Sequence, residues 1–183
     1  APTTREEVAF GLRNLGLAPQ EVERRTEEAL RTFGLEGYAE TPPAVLGFGL
    51  RRVVTVAAVV AMRQRILVLD EPTTGLDWRS ANDLMGRVAA LHAAGHTILL
   101  VTHDMRLVAR YAPETLVMHE GRVLARGATR QVLSDAGAME AAHIAPPQVT
   151  RLARALGPYG IPPDVLTVDE FCRAYDAARG ARR

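Results

Sequence analysis

Two places in the chain set ionisable side chains just after short, unbroken apolar runs. Asp70 and Glu71 follow Ile66-Leu67-Val68-Leu69, and His103 follows Leu99-Leu100-Val101-Thr102. Such a run is the pattern of a strand buried on both faces of a parallel sheet. In open α/β sheets, ligands sit beyond the C-terminal ends of the strands, where loops present polar groups held rigid from below. Adjacent carboxylates at such an end suit phosphoryl chemistry. One can hold a hydrated Mg²⁺, and the next can polarise a water for attack on phosphorus. Taken singly, each feature is ordinary, since strands often end in Asp and a strand-end His is usually a hydrogen-bonded structural residue. A strand-end Asp could also be the phosphoacceptor of a receiver-like domain, although the acidic pair and Lys expected of such a domain have no counterpart in this sequence.

The elements that must position these residues can be read from periodicity. Thr3 and Glu6 have capping-box spacing, and Val8, Leu12 and Leu15 follow on one helical face up to Gly16. A second amphipathic helix is expected from about Pro19 to Phe33, closed by Gly34 and Gly37, with Val22, Thr26, Leu30 and Phe33 on its apolar face. Pro42 and Pro43 break the chain before Leu46-Gly47-Phe48-Gly49, and an apolar helix is predicted from about Leu50 to Met62. After the strand at 66–69 come a helix near Arg79 to Ala94 and a second buried strand from Thr97 to Thr102, which is βαβ alternation. Thr115 to His119 and Arg122 to Ala125, joined by Glu120-Gly121, read as a hairpin at the far edge of the same sheet. Pro146 and Pro147 open an appendage of two short helices, the second starting at a Thr167/Glu170 capping box and presenting Val168, Phe171 and Tyr175. The organisation expected is a helical subdomain over 1–63, an α/β core over 64–143 and a helical appendage over 144–183.

Composition narrows the function classes. The chain has 183 residues, 48% of them apolar, and a formal charge of +1, so it can bury one real core with a small appended subdomain. All 22 basic residues are Arg, scattered without a basic block, which gives no nucleic-acid footprint. The longest apolar run, Val53 to Met62, falls far short of the roughly 20 residues that span a bilayer. Cys172 is the single cysteine and reads as a buried spectator thiol.

The run Ile66-Leu67-Val68-Leu69-Asp70-Glu71-Pro72-Thr73-Thr74-Gly75-Leu76-Asp77 resembles the Walker B strand and D-loop of ABC ATPases, with His103 matching their switch histidine. The resemblance implies an incomplete ABC-type, RecA-like α/β nucleotide-binding domain. By the same resemblance, Asp70 is the carboxylate that holds Mg²⁺ through water and Glu71 the catalytic base. His103 would contact the γ-phosphate, and Gly75, Leu76 and Asp77 would lie at the interface with a second ATPase subunit, identical or different. Glu6-Glu7-Val8-Ala9-Phe10-Gly11 and Asn14-Leu15-Gly16-Leu17 resemble the helical subdomain of energy-coupling-factor and cobalt-type import ATPases. Gly121-Arg122-Val123-Leu124-Ala125-Arg126-Gly127 and Pro146-Pro147-Gln148-Val149-Thr150-Arg151-Leu152 are similar to the same subgroup, whose appendage is implicated in pairing of the two ATPases. The implied ligands are ATP and Mg²⁺, the implied further partner a transmembrane coupling subunit, and the implied location the cytoplasmic face of the membrane.

Two departures qualify the resemblance. The family's signature is L-S-G-G-Q, which binds ATP held by the opposite subunit; here Leu46-Gly47-Phe48-Gly49-Leu50 stands in its place. Gly47 removes a hydroxyl, and Phe48 puts a ring where backbone and phosphate should approach. One lost hydrogen bond to a charged group costs roughly 1.5–3 kcal/mol, or about 10- to 100-fold in affinity. The sequence also holds no G-x-x-x-x-G-K-S/T segment, and without any Lys that loop cannot be present in divergent form. The expectation is therefore a chain that belongs to a longer ATPase and is inactive alone, truncation explaining the lost loop better than divergence. The competing expectation is a non-enzymatic subunit or fragment that only pairs with an active ATPase.

Overall fold

The computed structural model describes residues 1–180. Two compact units divide the chain, one from Ala1 to Val101 and the other from Thr102 onward. The 64–143 segment expected as one core thus contributes to both units.

The first unit is built on three helices: α1 (Thr4–Asn14), α2 (Pro19–Thr32) and α3 (Phe48–Ala61). Thr3 caps α1, its hydroxyl accepting the Glu6 backbone N–H at 3.2 Å, which is the capping-box contact expected from spacing. Pro19 opens α2 at the position where a missing N–H costs nothing. The apolar faces then close on one core, in which Val8, Leu12, Leu30, Phe33 and Ala57 are almost wholly buried. Arg5 of α1 ties the rim together, pairing with Glu27 of α2 and, at 3.0 Å, with Glu40. The helix predicted from Leu50 begins two residues earlier, at Phe48, because Gly47 serves as its N-cap.

A βαβ unit follows, formed by β1 (Ile66–Asp70), α4 (Trp78–Ala93) and β2 (Thr97–Val101). The strands pair in parallel from Ile66–Thr97 to Asp70–Val101. Burial on both faces, expected from the unbroken apolar runs, is not what the strands show. Leu67 is 1% exposed, whereas Ile66 and Val68 are 64% and 62% exposed, and Leu99 and Val101 share their open face. The cause is the layer count: side chains alternate across a strand, and only the face carrying Leu67 and Leu69 packs against helices. On that side Leu69 joins the core of the helical layer.

The second unit contains α5 (Met105–Tyr111), β3 (Glu114–His119), β4 (Arg122–Ala128), α6 (Thr129–Ser134), α7 (Ala136–Ala141), α8 (Gln148–Ala155) and α9 (Val168–Gly180). The hairpin forms as predicted around Glu120-Gly121, whose φ values of 47° and 74° are those of a two-residue primed turn. It is a separate two-stranded sheet, however, not an edge of the β1–β2 sheet. Val108, Val117, Leu133 and Met139 form its core, and α8 and α9 bury Ala153, Ile161 and Val165 beside it. Thr150, fully buried, donates its hydroxyl to the Val165 carbonyl at 2.6 Å. The Thr167/Glu170 box also forms, with the Glu170 N–H on Thr167 Oγ1 at 3.2 Å and Glu170 Oε2 accepting the Leu166 N–H at 2.8 Å. Cys172, expected to be buried, is exposed; it lies one step, about 100°, off the face of α9 that packs through Phe171, Ala174 and Ala178.

Leu30→Ala empties a site at the centre of the helical core and should lower the unfolding free energy by about 2–5 kcal/mol in urea denaturation. Arg31→Ala, one residue away on the exposed face, should change it by less than about 0.5 kcal/mol.

Candidate functional site

The site grows from the end of β1. Asp70 closes the ladder opposite Val101, and its side chain is exposed on the uncovered side of the sheet. The next residue, Glu71, adds one more rung, its N–H donating to the Val101 carbonyl at 2.9 Å. Its φ of 44° then turns the chain away from the strand. A non-glycine residue in the left-handed region costs on the order of 1–3 kcal/mol and persists only when its neighbours over-determine it. Contacts to the strand and within the loop do so here. Besides the rung to Val101, the Glu71 carbonyl accepts the Thr74 N–H at 3.3 Å and Glu71 Oε2 accepts the Thr74 hydroxyl at 3.2 Å.

A second turn follows at once. The Leu76 N–H donates to the Thr73 carbonyl at 3.0 Å, with Gly75 at φ 79° in the third position, as a type II turn requires. Asp77 ends the loop as the N-cap of α4, its Oδ1 accepting the Ser80 N–H at 2.8 Å and its Oδ2 the Ser80 hydroxyl at 3.1 Å. These bonds, the backbone one foremost, hold the Asp77 carboxyl below its ordinary value. The structural use of Asp77 went unread in the sequence, although Asp77-x-x-Ser80 before a helix was the available signal.

The first turn of α3 packs against this loop. Leu46 is 7% exposed and sits in the helical core, so its side chain is an anchor for the start of this helix. Gly47 caps α3 without a side-chain bond, leaving the first-turn N–H groups to other partners. A methyl on Gly49 would stand 3.4 Å from Leu76 Cδ2, and one on Gly75 would stand 2.8 Å from Phe48 Cε1. Phe48 and Gly49 therefore meet Gly75 and Leu76. The Arg51 and Arg52 guanidiniums lie 5.9 and 5.6 Å from the Phe48 ring centroid.

His103 belongs to the second unit, two residues past β2, with an exposed side chain. It precedes Asp104, the N-cap of α5, whose Oδ1 accepts the Arg106 N–H at 2.9 Å and whose carboxyl is held low first of all by the Arg106 side chain.

Among the described residues, no three His, Cys, Asp or Glu side chains converge as a metal cage. Mg²⁺, the ion the resemblance implies, keeps several waters and takes one or two carboxylates plus substrate phosphates. Asp70, exposed at an open strand end, fits such a role.

Parallel strands, a crossover helix, acidic residues past a strand end and a glycine-containing helix start beside them define the class: part of an α/β nucleotide-binding domain. Residues 5–109 match the family model described as "AAA domain, putative AbiEii toxin, Type IV TA system", and the chain belongs to that AAA-domain family. Within it, the similarity is to ATP-binding subunits of ABC transporters of the energy-coupling-factor kind. The chain is 42% identical over 156 residues to the energy-coupling factor transporter ATP-binding protein EcfA of Methanocaldococcus jannaschii, covering 85% of this chain and 56% of that protein. It is 39% identical over 172 residues to EcfA2 of Caldanaerobacter subterraneus, covering 92% and 60%. The fold superposes on cbiO1 of Clostridium perfringens, part of the ABC transporter complex cbiONQ, with TM-score 0.69 and 30% identity over 86% of this chain and 59% of that one. The chain thus spans about three-fifths of the length of these relatives.

The cap makes a prediction about Asp77. Asp77→Ala should lower the melting temperature by a few degrees at neutral pH, while Asp77→Asn and Asp77→Ser, which cap comparably, should lower it less. Because the carboxyl is depressed in the folded state, its contribution is complete above the unfolded-state value and fades as pH falls through the lower folded one. The gap between wild type and Asp77→Ala should therefore shrink in acid, as thermal scans across pH would measure.

Proposed function

We propose that this chain is the Walker B, D-loop and signature-bearing part of an ABC-type ATPase that couples ATP hydrolysis to import of a small solute, a vitamin or a metal ion, through a transmembrane partner. The observation that carries the reading is the loop from Glu71 to Asp77, fixed at an open strand end and packed on the start of α3. Such a loop sets a carboxylate where it can take a proton from an attacking water and carries a further acid, Asp77, toward a second subunit.

In this reading Glu71 takes the proton of the attacking water, which its position just beyond the strand makes possible. Asp70 holds Mg²⁺ through water, and the ion supplies positive charge against the phosphate oxygens. His103 contacts the γ-phosphate. Leu46, Gly47 and Gly49 form the segment that meets ATP held by the partner ATPase: the buried Leu46 anchors it in the helical core, and the two glycines let the backbone come close. Gly75, Leu76 and Asp77 meet that partner across the dimer. The phosphate-cradling loop, with its Lys, must come from sequence other than these 183 residues, which contain none. The assembled ATPase would work at the cytoplasmic face of the membrane; none of the described helices is long and apolar enough to cross one.

A second reading, a subunit that only pairs with an active ATPase, is favoured by Gly47-Phe48 standing where Ser-Gly is expected. The isolated chain tests the missing loop, and the assembly separates the two readings. The isolated chain should show no thermal shift with Mg-ATP, since ligand binding to the folded state would raise its stability by mass action. In an assembly that supplies the missing loop, Glu71→Gln should reduce steady-state hydrolysis by at least about a hundredfold while leaving ATP affinity within a few-fold of the parent. An assembly that binds but never hydrolyses ATP, with Glu71 intact, would favour the pairing-only reading.

A further inference from the structure

Phe48 has no counterpart in the signature the family would place here, and its ring is not turned loose into solvent. The position a side chain would occupy at Gly75 is filled by that ring: an added Cβ would lie 2.8, 3.3 and 3.4 Å from Phe48 Cε1, Cδ1 and Cζ. The ring therefore lies on the bare backbone of the type II turn. Gly75 is constrained twice over, by its φ of 79° and by the ring seated on it. One residue further along each element, Gly49 lies against Leu76 Cδ2, so two consecutive residues of α3 meet two consecutive residues of the loop. Phe48 is still 48% exposed, and Arg51 and Arg52, one helical turn on, bring their guanidiniums within cation–π range. Those contacts favour the ring orientation that covers Gly75.

We infer that Phe48 is a positioning residue that clamps the Glu71–Asp77 loop to the first turn of α3, through ring-on-glycine packing steadied by Arg51 and Arg52. The loop needs such a clamp. It carries a left-handed Glu71 and a left-handed Gly75 four residues apart, held by two backbone turn bonds of 3.3 and 3.0 Å, and most of its side chains reach water. Pro72 is buried and Leu76 packs on the helical core, but Thr74 and Gly75 between them are exposed, and a solvated stretch of this kind opens easily. Covering Gly75 with an aromatic ring shields the Leu76–Thr73 bond and couples the loop to a fourteen-residue helix. The consequence, which rests on the ATPase reading above, is that Phe48 helps set where Glu71 and Asp77 stand; exchanging it for the family's glycine would cost loop order at the same time as it opens the helix start.

The test uses the chain as it is and needs no ATPase activity. In hydrogen exchange, Phe48→Ala should speed exchange of the Thr74 and Leu76 amides by about tenfold or more, with the Leu84 and Val88 amides of α4 unchanged. Trp78, the single tryptophan and the first residue of α4 after the loop, should become more accessible to acrylamide quenching. Phe48→Tyr, which keeps the ring, should restore both readouts. Gly75→Ala in the wild-type background meets both the φ penalty and the ring, but in the Phe48→Ala background only the φ penalty. Its destabilisation should therefore be smaller in the second case, a non-additivity that a mere space-filling role elsewhere would not give. Unchanged exchange and quenching in Phe48→Ala, or additive effects of the two substitutions, would overturn the clamp. If Phe48→Ala does not fold, Arg51→Gln/Arg52→Gln replaces it and should loosen the same two amides by a smaller factor; no change there would equally overturn it. Absence of ATPase activity in any assembly would count against the proposed function and leave these readouts untouched.

Discussion

The site rests on one parallel ladder of five residue pairs, extended by the single rung from the Glu71 N–H to the Val101 carbonyl. That rung fixes the direction in which the chain leaves β1. Together with the bonds to Thr74, which lie within the loop and travel with it, the rung helps hold Glu71 at a φ that L-residues avoid. The ladder is in turn fixed from below. Leu67 and Leu69 point into the helical side, and a slip of one residue would exchange them for Ile66 and Val68 and place Asp70 against the core. Burying an unpaired carboxylate is far more costly than losing any one apolar contact. Register and acid placement are thus the same constraint.

The opposite face of the sheet shows what this arrangement leaves undone. Ile66, Val68, Leu99 and Val101 stand side by side, each about half exposed or more. Fully burying such side chains is worth roughly 1.5–3 kcal/mol apiece, so a further layer on this face would add several kcal/mol. β1 also pairs only with β2, so among the described residues its outer edge keeps unpaired backbone groups. A face and an edge of this kind invite further packing, and they lie beside the end of the strand that presents Asp70 and Glu71.

Much of this was legible in the sequence, for identifiable reasons. Helices α1 and α2, the βαβ alternation, the hairpin at Glu120-Gly121 and the Thr167/Glu170 cap are all set by short-range signals: a period, a cap or a turn pair. The short helices α5, α6 and α7 escaped, since six or seven residues give too few turns for a period to show. The one-sided burial of β1 and β2 escaped for a different reason. An apolar run reports that a strand can be buried on both faces, and the layers actually present decide whether it is. The family likeness of residues 66–77 carried the site hypothesis, yet Asp77 as a helix cap was a local signal that the likeness overshadowed.

The signature region shows most clearly where counting residues stops being enough. Read alone, Gly47 and Phe48 are two losses, a hydroxyl and an approach path, and together they suggest a weakened site. In the folded chain the ring that obstructs the helix start also covers Gly75, twenty-seven positions further along the chain and invisible to any local window. The two effects have comparable size: one charge-assisted hydrogen bond at roughly 1.5–3 kcal/mol against the packing of half an aromatic ring and two flanking guanidiniums, each contact on the order of 0.5–1.5 kcal/mol. Neither dominates by inspection. They differ in what they act on: in the proposed ATPase the hydroxyl would concern a ligand brought by another subunit, whereas the ring concerns this chain's own loop whether or not a ligand is present. A substitution that weakens recognition in trans can therefore persist by ordering the same neighbourhood in cis, and the altered signature can be a property of the loop as much as of the phosphate site.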